Sequence, residues 1–408
     1  MPAEWEPHEA TWLGWPHERT DWPAKFAPIP WAFAEIVRHL ARVERVFLVV
    51  ENREAEAGAR KILSKSGANL DAVTFFRIPT DRGWMRDSGP IAVMTARLRS
   101  GAELPHRPGV IPNPAAGFAD GGEGSAFAMR GENKKQIPRT PSRAPGNQGG
   151  EENARDSARD DNKQAGAALL DFVFDGWAKY ANHKKDAKVA SRAAALLKRN
   201  ALAPEHNGRR IVLEGGAIDV NGCGSLLTTE ECLLSAEQSR NPGFTKEDYA
   251  QVFRRYFGTT NVIWLGRGIA GDDTHGHVDD LARFTDANTV VYVTEQNRAD
   301  ENYEPLQENL ARLKRAVNQD GRLLRVETLP MPAPVWFDGQ RLPASYANFY
   351  IANKIVLVPV FNDAADRIAL AKLATLFPDR EIVPIYCRDL VLGLGTIHCM
   401  TQQFPSVR

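Results

Sequence analysis

The sequence has little cysteine and no long apolar run. Its 408 residues include only four cysteines, Cys223, Cys232, Cys387 and Cys399, and no two of them form a C-x-x-C pair. That spacing argues against zinc-ribbon and dithiol redox motifs, and the low content favours a reducing, intracellular setting. No apolar stretch reaches the ~18 residues that suggest a membrane-spanning helix.

An excess of charge of one sign is also missing. Lys+Arg and Asp+Glu number 51 each, for a formal net charge of +0. A polybasic surface for nucleic acid or membranes is therefore not expected. The first residues, MPAEWEPHEA, contain Glu and Pro where a secretory signal would be basic and then apolar. We therefore predict a cytoplasmic globular protein without nucleic-acid or membrane partners.

One segment differs in composition from the rest. Residues 96–165 are rich in Gly, Pro, Asn and charge, and their few apolar residues keep no helical or strand period. Such a segment buries too little apolar surface to offset its ordering entropy. We interpret 96–165 as a disordered insertion within a single domain spanning 1–408. The alternative is a linker between two domains, but 1–95 alone looks incomplete and strand-like LLDFVF follows the segment.

Outside this segment a supersecondary pattern recurs. Residues 280–295 predict a hairpin, 303–319 an amphipathic helix and 322–330 a strand. The same order returns at 346–361, 366–377 and 381–388, and 214–231 predict a third hairpin that turns at Asn221-Gly222. Near the N-terminus, 43–50, 56–66 and 73–79 predict a strand, a helix and a strand. Repeated ββαβ modules indicate a cyclic or layered α/β fold.

Residues suited to chemistry occur near the ends of these strands. Asp87 lies in a predicted polar turn at 83–90, Glu214 ends an apolar strand before two glycines, and Cys399 follows a Gly-rich loop. His277 and Asp279 are two residues apart, so an extended backbone would turn both side chains to one face. A thiol, an imidazole and several carboxylates at strand ends favour one common site.

Each residue taken alone has a structural alternative. Asp87 suits a turn cap, and Glu214 suits a salt-bridged strand end. Cys399 alone suits a small buried hydrophobe. Only the convergence of these residues favours function over structure.

At this point the motifs resemble a known family. The segments MPAEWEPHEATWLGWP, WMRDSGP, LEGG with NGCGSLLTTEECLL, DDTHGHVDDLARF and IHCMTQQFP are similar to those of the agmatine deiminases. These enzymes belong to the guanidine-modifying superfamily, which includes the peptidylarginine deiminases. The likeness runs along the whole chain except the 96–165 segment. It implies a pentein fold, a five-bladed pseudo-symmetric α/β propeller of ββαβ modules.

The resemblance also implies an activity and its catalytic residues. The implied reaction converts agmatine to N-carbamoylputrescine and ammonia, a step in putrescine and polyamine biosynthesis. By resemblance, Cys399 is the nucleophile that forms an amidino-cysteine, His277 is the acid and base, and Glu214 orients His277. No metal and no organic cofactor are implied.

Substrate-binding residues are likewise implied by resemblance. Asp87 and Asp279 match the carboxylates that bind the guanidinium group, and Asp273 matches a position near the distal amine. Trp84 and Trp177 are candidates for pocket walls. The implied partner is a small cationic guanidino substrate, and homo-oligomerisation stays open.

The sequence departs from the family pattern in two places. Leu394 and Thr396 replace residues of the usual Gly-rich, Asn-containing run before Ile-His-Cys, and Asp175 and Ala178 replace Asn and Gly in FDGWAKY. These changes bear on substrate preference, so a peptidylarginine-type deiminase that converts arginine residues to citrulline is the alternative.

Three further functions were weighed. Residues 266–271 fit G-x-G-x-x-G, but the helix that a dinucleotide site needs is not predicted after them. Asp273, His275, His277 and Asp279 are plausible metal ligands but lack a recognised ligand spacing. A binding protein that has lost catalysis is disfavoured because the implied catalytic residues are all present.

Overall fold

The fold is known from a computed structural model that describes residues 1–94 and 166–406. In these two stretches the strands are β1 His8–Gly14, β2 Arg45–Val50, β3 Val73–Arg77, β4 Ile91–Met94, β5 Ala167–Leu170, β6 Ala201–Leu202, β7 Glu205–His206, β8 Arg209–Arg210, β9 Asp219–Val220, β10 Ser225–Thr229, β11 Asn261–Leu265, β12 Ala282–Phe284, β13 Thr289–Thr294, β14 Arg325–Pro330, β15 Val335–Phe337, β16 Gln340–Leu342, β17 Tyr350–Ile351, β18 Ile355–Val360, β19 Glu381–Tyr386 and β20 Thr401–Pro405. The α-helices there are α1 Ile29–Leu40, α2 Arg53–Lys65, α3 Met85–Ser88, α4 Val189–Leu197, α5 Glu230–Leu234, α6 Lys246–Phe257, α7 Tyr303–Leu313, α8 Ala364–Leu376 and α9 Ile397–Met400. The insertion expected at 96–165 lies outside the described residues.

One strand pattern recurs through the sheets. In the sheets β4-β5-β6, β9-β10-β11, β12-β13-β14 and β17-β18-β19, the first pair of strands is antiparallel and the second is parallel. Parallel neighbours need a long crossover connection, and α4, α6, α7 and α8 supply it in that order. These are the ββαβ modules that the sequence predicts.

The two ends of the chain meet in a fifth sheet, β20-β1-β2-β3. There β1 pairs antiparallel with β20, with Trp12 opposite Gln402, and parallel with β2. Because α9 immediately precedes β20, this pairing brings the residues around Cys399 next to the N-terminal segment.

Local sequence explains where the helices begin and end. The Thr245 hydroxyl and the Asp248 carboxylate form a capping box at the start of α6, and Gly258, with φ +73°, ends that helix. Asp363 and Asp366 form the same box at α8. Strands β13 and β18 are almost wholly buried beneath the helices, as their apolar sequences require.

Several local expectations need correction. The helix expected over 303–319 ends at Leu313, and Val317 instead bridges to Leu323. In LLDFVF the strand ends at Leu170. The segment around Asp87 is a short helix, α3, and not a turn.

One more correction concerns the candidate site. His277 and Asp279 do not lie on an extended strand, because Val278–Asp280 form a 3-10 turn. Cys399 follows the irregular residues 394–396, as expected, and lies within the short helix α9.

None of the helices in 1–94 and 166–406 combines the length and the apolar character that spanning a bilayer would require.

Candidate active site

Four separate stretches of chain meet at one buried cluster. Helix α3 packs against α9 and against the turn Gly215–Ala217, which in turn packs against Val278–Asp280. The side chains carried by these elements, Asp87, Glu214, His277, Asp279 and Cys399, are all at most 6% exposed. The structure therefore brings together the catalytic and guanidinium-binding residues that the resemblance implies.

Glycines make this close packing possible. A Cβ atom on Gly216 would lie 2.5 Å from His277 Nδ1 and 3.0 Å from Asp87 Oδ1. Two glycines after a strand end can admit a ligand to the backbone. At Gly216 the absent side chain instead makes room for the imidazole and the carboxylate.

The thiol of Cys399 lies among carboxylates. Its Sγ atom is 3.1 Å from Asn348 Nδ2 and 3.7 Å from Asp279 Oδ2. Burial, reinforced by the charges of Asp279, Asp280 and Asp87, raises the pKa of the Cys399 thiol well above its ordinary value. The thiol is therefore protonated at neutral pH.

His277 is buried without a hydrogen bond. Its Nδ1 lies 3.8 Å from Asp87 Oδ1 and its Nε2 lies 4.0 Å from Glu214 Oε2. Neither nitrogen has a hydrogen-bond partner among the described residues. Burial lowers the pKa of His277 to about 3, although the Asp279 charge opposes this. The imidazole is therefore neutral at neutral pH and can accept a proton.

The carboxylates around the thiol are incompletely compensated. Asp87 accepts hydrogen bonds from Trp177 Nε1 at 2.9 Å and from Gly216 N at 3.1 Å. Burial and the charges of Asp279 and Glu214 nevertheless raise its pKa well above the ordinary range. Within the described chain, Glu214 Oε2 and Asp279 Oδ1 accept no hydrogen bond. A planar cation with several N–H donors would satisfy such oxygen atoms.

Glu214 is held from its other side. Arg240 Nε donates to Glu214 Oε1 at 3.0 Å, and both side chains are fully buried. Burial raises the pKa of Glu214, and the Arg240 charge opposes that rise. Arg240 is not predictable from the sequence, because an Arg in the polar segment after α5 carries no signal of burial.

Asn348 was also missed, although it organises the nucleophile. Its Oδ1 accepts from His398 N at 3.0 Å and from Thr396 Oγ1 at 2.7 Å, while its Nδ2 donates to Asp280 Oδ1 at 2.9 Å and to Cys399 Sγ. The only local signal was a polar residue inside the apolar run YANFYIA.

A cavity of about 300 Å³ leads to Cys399. Its lining includes the predicted binding residues Trp84, Trp177, Asp87 and Asp273, but not Asp279. Trp177 does more than form a wall, because it donates a hydrogen bond to Asp87. Trp84 packs on Trp22, with ring centroids 5.6 Å apart, and donates to Asp21.

Asp273 already has protein partners at the cavity wall. Lys179 Nζ forms an ion pair with Asp273 Oδ1, and Tyr180 OH donates to Asp273 Oδ2 at 2.5 Å. Arg82, another cavity residue, pairs with Asp21. A substrate amine at Asp273 would therefore compete with Lys179.

The departures from the family pattern have local explanations. Leu394 lines the cavity with φ +65°, and a Cβ on Gly393 would lie 2.8 Å from Trp84 and from Trp22. Thr396 is bonded to Asn348. Ala178 has φ +53°, where glycine is favoured, and its N–H donates to Asp175 Oδ1 at 2.8 Å. Asp175 can therefore hold this turn as Asn would.

Two buried groups within the described residues have donor atoms close enough for a metal ion, Glu214–Cys232–His277 and Asp279–Asp280–Cys399. Burial raises the pKa of both thiols. The four plausible metal ligands named from the sequence, Asp273, His275, His277 and Asp279, do not form such a group. Asp273 pairs with Lys179, and His275 Nε2 lies 3.1 Å from Ser235 Oγ.

The G-x-G-x-x-G segment does not open a helix. Residues 266–276 form loops and turns after β11, and the next helical residues are the turn Val278–Asp280. A Cβ on Gly268 would lie 2.7 Å from Gly276 Cα, so this glycine permits one loop to pack on another. Phosphate binding at a helix N-terminus is not supported here.

The repeated ββαβ sheets and the buried thiol, imidazole and carboxylates define an α/β protein of the guanidine-modifying class. Residues 1–107 and 154–405 match the model of the Porphyromonas-type peptidyl-arginine deiminase family. The chain belongs to that family.

Individual relatives extend the comparison. Agmatine deiminase of Stutzerimonas stutzeri is 29% identical over 430 residues, covering 100% of this chain and 95% of the relative. The structure of Enterococcus faecalis agmatine deiminase has a TM-score of 0.75 at 26% identity and covers 99% of this chain and 95% of its own. A cysteine-to-serine variant of C. jejuni agmatine deiminase with substrate bound has a TM-score of 0.72 at 26% identity, covering 100% and 96%.

Proposed function

We propose that the protein is an agmatine deiminase, a hydrolase that releases ammonia from the guanidino group of agmatine. One observation carries this proposal. The Cys399 thiol and the neutral His277 imidazole lie among buried carboxylates. Two carboxylate oxygen atoms, Glu214 Oε2 and Asp279 Oδ1, have no hydrogen-bond partner in the described residues. A guanidinium ion supplies the positive charge and the N–H donors that this cluster lacks. The related agmatine deiminases make agmatine the first choice of substrate.

In the first half of the reaction, Asp87 and Asp279 bind the guanidinium group. Its positive charge stabilises the Cys399 thiolate, and the thiol proton passes to His277. The thiolate sulfur then bonds to the central carbon. His277 returns the proton to an amino group, which leaves as ammonia when its bond to carbon breaks.

In the second half, water attacks the amidino-cysteine carbon. His277, again neutral, takes a proton from this water. The carbon–sulfur bond breaks while the added hydroxyl loses its proton to the departing thiolate and becomes the ureido carbonyl oxygen. The proton held by His277 passes to solvent, where the released ammonia takes it up as ammonium. Glu214, braced by Arg240, lies on the Nε2 side of His277 and orients it through both halves.

The outer part of the cavity would hold the rest of the substrate. Trp84 and Trp177 would flank the aliphatic chain, and Asp273 would meet the distal ammonium group. Asp273 is already ion-paired with Lys179, which weakens this last contact. The distal amine would therefore gain less binding energy from Asp273 than from a carboxylate without a partner.

We also propose that the repeated sheets form a five-bladed α/β propeller and that 1–408 is one deiminase domain with an insertion at 96–165. The recurrence of one strand order in five sheets of the described chain supports the propeller. The described residues belong to one compact unit, which supports the single domain.

A deiminase acting on peptidyl arginine is the second candidate. Two observations favour it: the match to the peptidyl-arginine deiminase family model and the position of Arg82 at the cavity wall. Arg82 lines the cavity, and its buried Nε has no hydrogen-bond partner in the described part of the chain. A guanidinium group at the cavity wall suits a substrate that carries a carboxylate.

Ammonia release should be compared for agmatine, free arginine and a peptide ending in arginine. We expect the highest kcat/KM with agmatine. A higher value for the peptide would overturn the agmatine assignment in favour of the second candidate. No release from any of the three would overturn deimination itself.

A further inference from the structure

A buried charge network that includes Glu4, Arg86, Arg283 and His398 adjoins Asp279. Glu4, from the segment before β1, accepts hydrogen bonds from Arg86 at 2.9 Å and from Arg283 at 2.7 Å. It also accepts from the backbone of Ile351 at 2.9 Å. Glu4 and Arg86 are each 3% exposed and Arg283 is 0% exposed. The reaction described above uses none of these three groups.

His398 connects this network to the proposed site. Its Nε2 lies 2.9 Å from Glu4 Oε2, and its Nδ1 lies 2.6 Å from Asp279 Oδ2. Each ring nitrogen of His398 meets one carboxylate oxygen. The ring therefore bridges two carboxylates and fixes how the Asp279 carboxylate is turned.

The bridge makes the two oxygen atoms of Asp279 unequal. Oδ2 is occupied by His398, whereas Oδ1 has no partner within 1–94 and 166–406. A charge-assisted hydrogen bond to Oδ2 holds the side chain in one rotamer and leaves Oδ1 as the free acceptor. Burial alone would raise the pKa of Asp279, but the contact with His398 lowers it, so the carboxylate stays ionised.

Glu4 in turn keeps His398 in place. Both of its oxygen atoms are engaged, and although burial opposes ionisation, Arg283, His398 and Arg86 hold the pKa of Glu4 well below its ordinary value. The pairing of β1 with β20 brings this N-terminal residue to the segment of Cys399. Because Arg86 also adjoins Asp87 in α3, one carboxylate braces two of the structural elements that build the site.

We propose that Glu4 and His398 are positioning residues that hold Asp279 for a cationic amidine or guanidine group, an inference that rests on the proposed function. They touch no substrate. They act by presenting Asp279 Oδ1, so their loss should weaken recognition of the cation more than the reactivity of the thiol.

Two alkylating reagents of nearly equal shape separate these effects. Chloroacetamidine is cationic and chloroacetamide is neutral, and both alkylate thiols. The rate of alkylation at Cys399 is measured for each by peptide mass spectrometry, and the ratio of the two rates reports cation recognition alone. We expect Glu4→Gln to lower this ratio by about tenfold, a usual effect of removing a partner that orients a binding group. With agmatine, the same variant should raise KM more than it lowers kcat.

Glu44→Gln is the matched control. Glu44 is also a buried carboxylate beside an imidazole, with its Oε1 3.3 Å from His8 Nδ1. His8 Nε2 in turn lies 2.7 Å from the backbone oxygen of Glu4, so this control adjoins the Glu4 segment without touching the Glu4 carboxylate. The control should keep the wild-type ratio. If Glu4→Gln does not fold, His398→Gln provides the test, because it removes the bridge and leaves the pairs of Glu4 with Arg86 and Arg283.

An unchanged ratio in a folded Glu4→Gln or His398→Gln protein would overturn the positioning role. An equal fall in Glu44→Gln would do the same, since it would indicate a general structural effect. The proposed function fails separately, when the wild-type protein releases no ammonia from guanidino substrates. A wild-type protein that alkylates equally with both reagents would overturn both.

Discussion

The two sides of Asp279 differ in how their charges are matched. On the side of Glu4, carboxylate oxygen atoms meet Arg86, Arg283 and His398. On the side of His277, both ring nitrogens lack hydrogen-bond partners among the described residues, as do Glu214 Oε2 and Asp279 Oδ1. The first region is a completed network of opposite charges, and the second is complete only when a cation is added.

This difference separates the residues that hold the site in place from the residues proposed to carry out the reaction. A buried charge without a partner is costly, and the raised pKa of Asp87 reflects that cost. A cation that enters the cavity would relieve it and, in the same step, favour the thiolate. The unmatched region can therefore couple substrate binding to activation of the nucleophile, while the matched region keeps the geometry fixed.

The largest expected effect comes from Cys399→Ser. Removing the nucleophile should reduce ammonia release from agmatine by at least about 10³-fold, as loss of the central group of a covalent mechanism does. The thermal unfolding midpoint should change little, because Ser is close to Cys in size. Cys223→Ser, which alters an exposed cysteine, is the control and should keep full activity. Full turnover by Cys399→Ser would contradict the covalent mechanism.

Asp87→Asn tests the unmatched region directly. The variant keeps the size of the side chain but removes a buried charge that would pair with the substrate. Loss of such a partner costs about 3 kcal/mol or more, so kcat/KM for agmatine should fall by at least about 10²-fold. Steady-state kinetics on agmatine measures this. Asp71→Asn, an exposed carboxylate, should leave kcat/KM unchanged, and an unchanged value for Asp87→Asn would remove Asp87 from the site.

Lys179→Met should give the smallest effect, and in the opposite direction. Lys179 competes for Asp273, so its removal frees that carboxylate for the distal amine of agmatine. Since the Lys179 side chain is 44% exposed, the gain is screened by solvent, and KM should fall only by about two- to fivefold. Lys184→Met changes a neighbouring charge and should not alter KM. A higher KM in Lys179→Met would place the distal amine elsewhere.

Sequence periodicity predicts the hairpins of the modules better than it predicts the short helical turns between them. The hairpin of β12 and β13 and the hairpin of β17 and β18 occur where alternation and turn residues place them. Short helical turns were missed at Asp87, Asp279 and Cys399 because three or four residues are too few to show a helical period. Their conformations are set by packing between distant segments, which sequence spacing does not encode.

The site itself was predictable only for residues in distinctive motifs. Cys399, His277, Glu214, Asp87 and Asp279 were singled out by their positions near the ends of predicted strands and given their roles by the family resemblance, and the structure places them together. The supporting residues Arg240, Asn348 and Glu4 were not identified, since their partners lie 26, 51 and 394 positions away along the chain. Which buried charged side chains pair with one another depends on tertiary contacts, so the local sequence around each of them shows no pattern.

The central claim is that a bound cation converts the Cys399 thiol to a thiolate. Burial and the nearby carboxylates raise the pKa of this thiol, and a cation that neutralises them should lower it. Thiolate ultraviolet absorbance, taken as the difference between wild type and Cys399→Ser, is titrated against pH with and without acetamidinium. Tetramethylammonium, which donates no hydrogen bonds, is the control cation. We predict little thiolate near neutral pH alone and a midpoint that moves to lower pH with acetamidinium only; a thiolate already present without a cation, or a midpoint that does not move, would contradict the account.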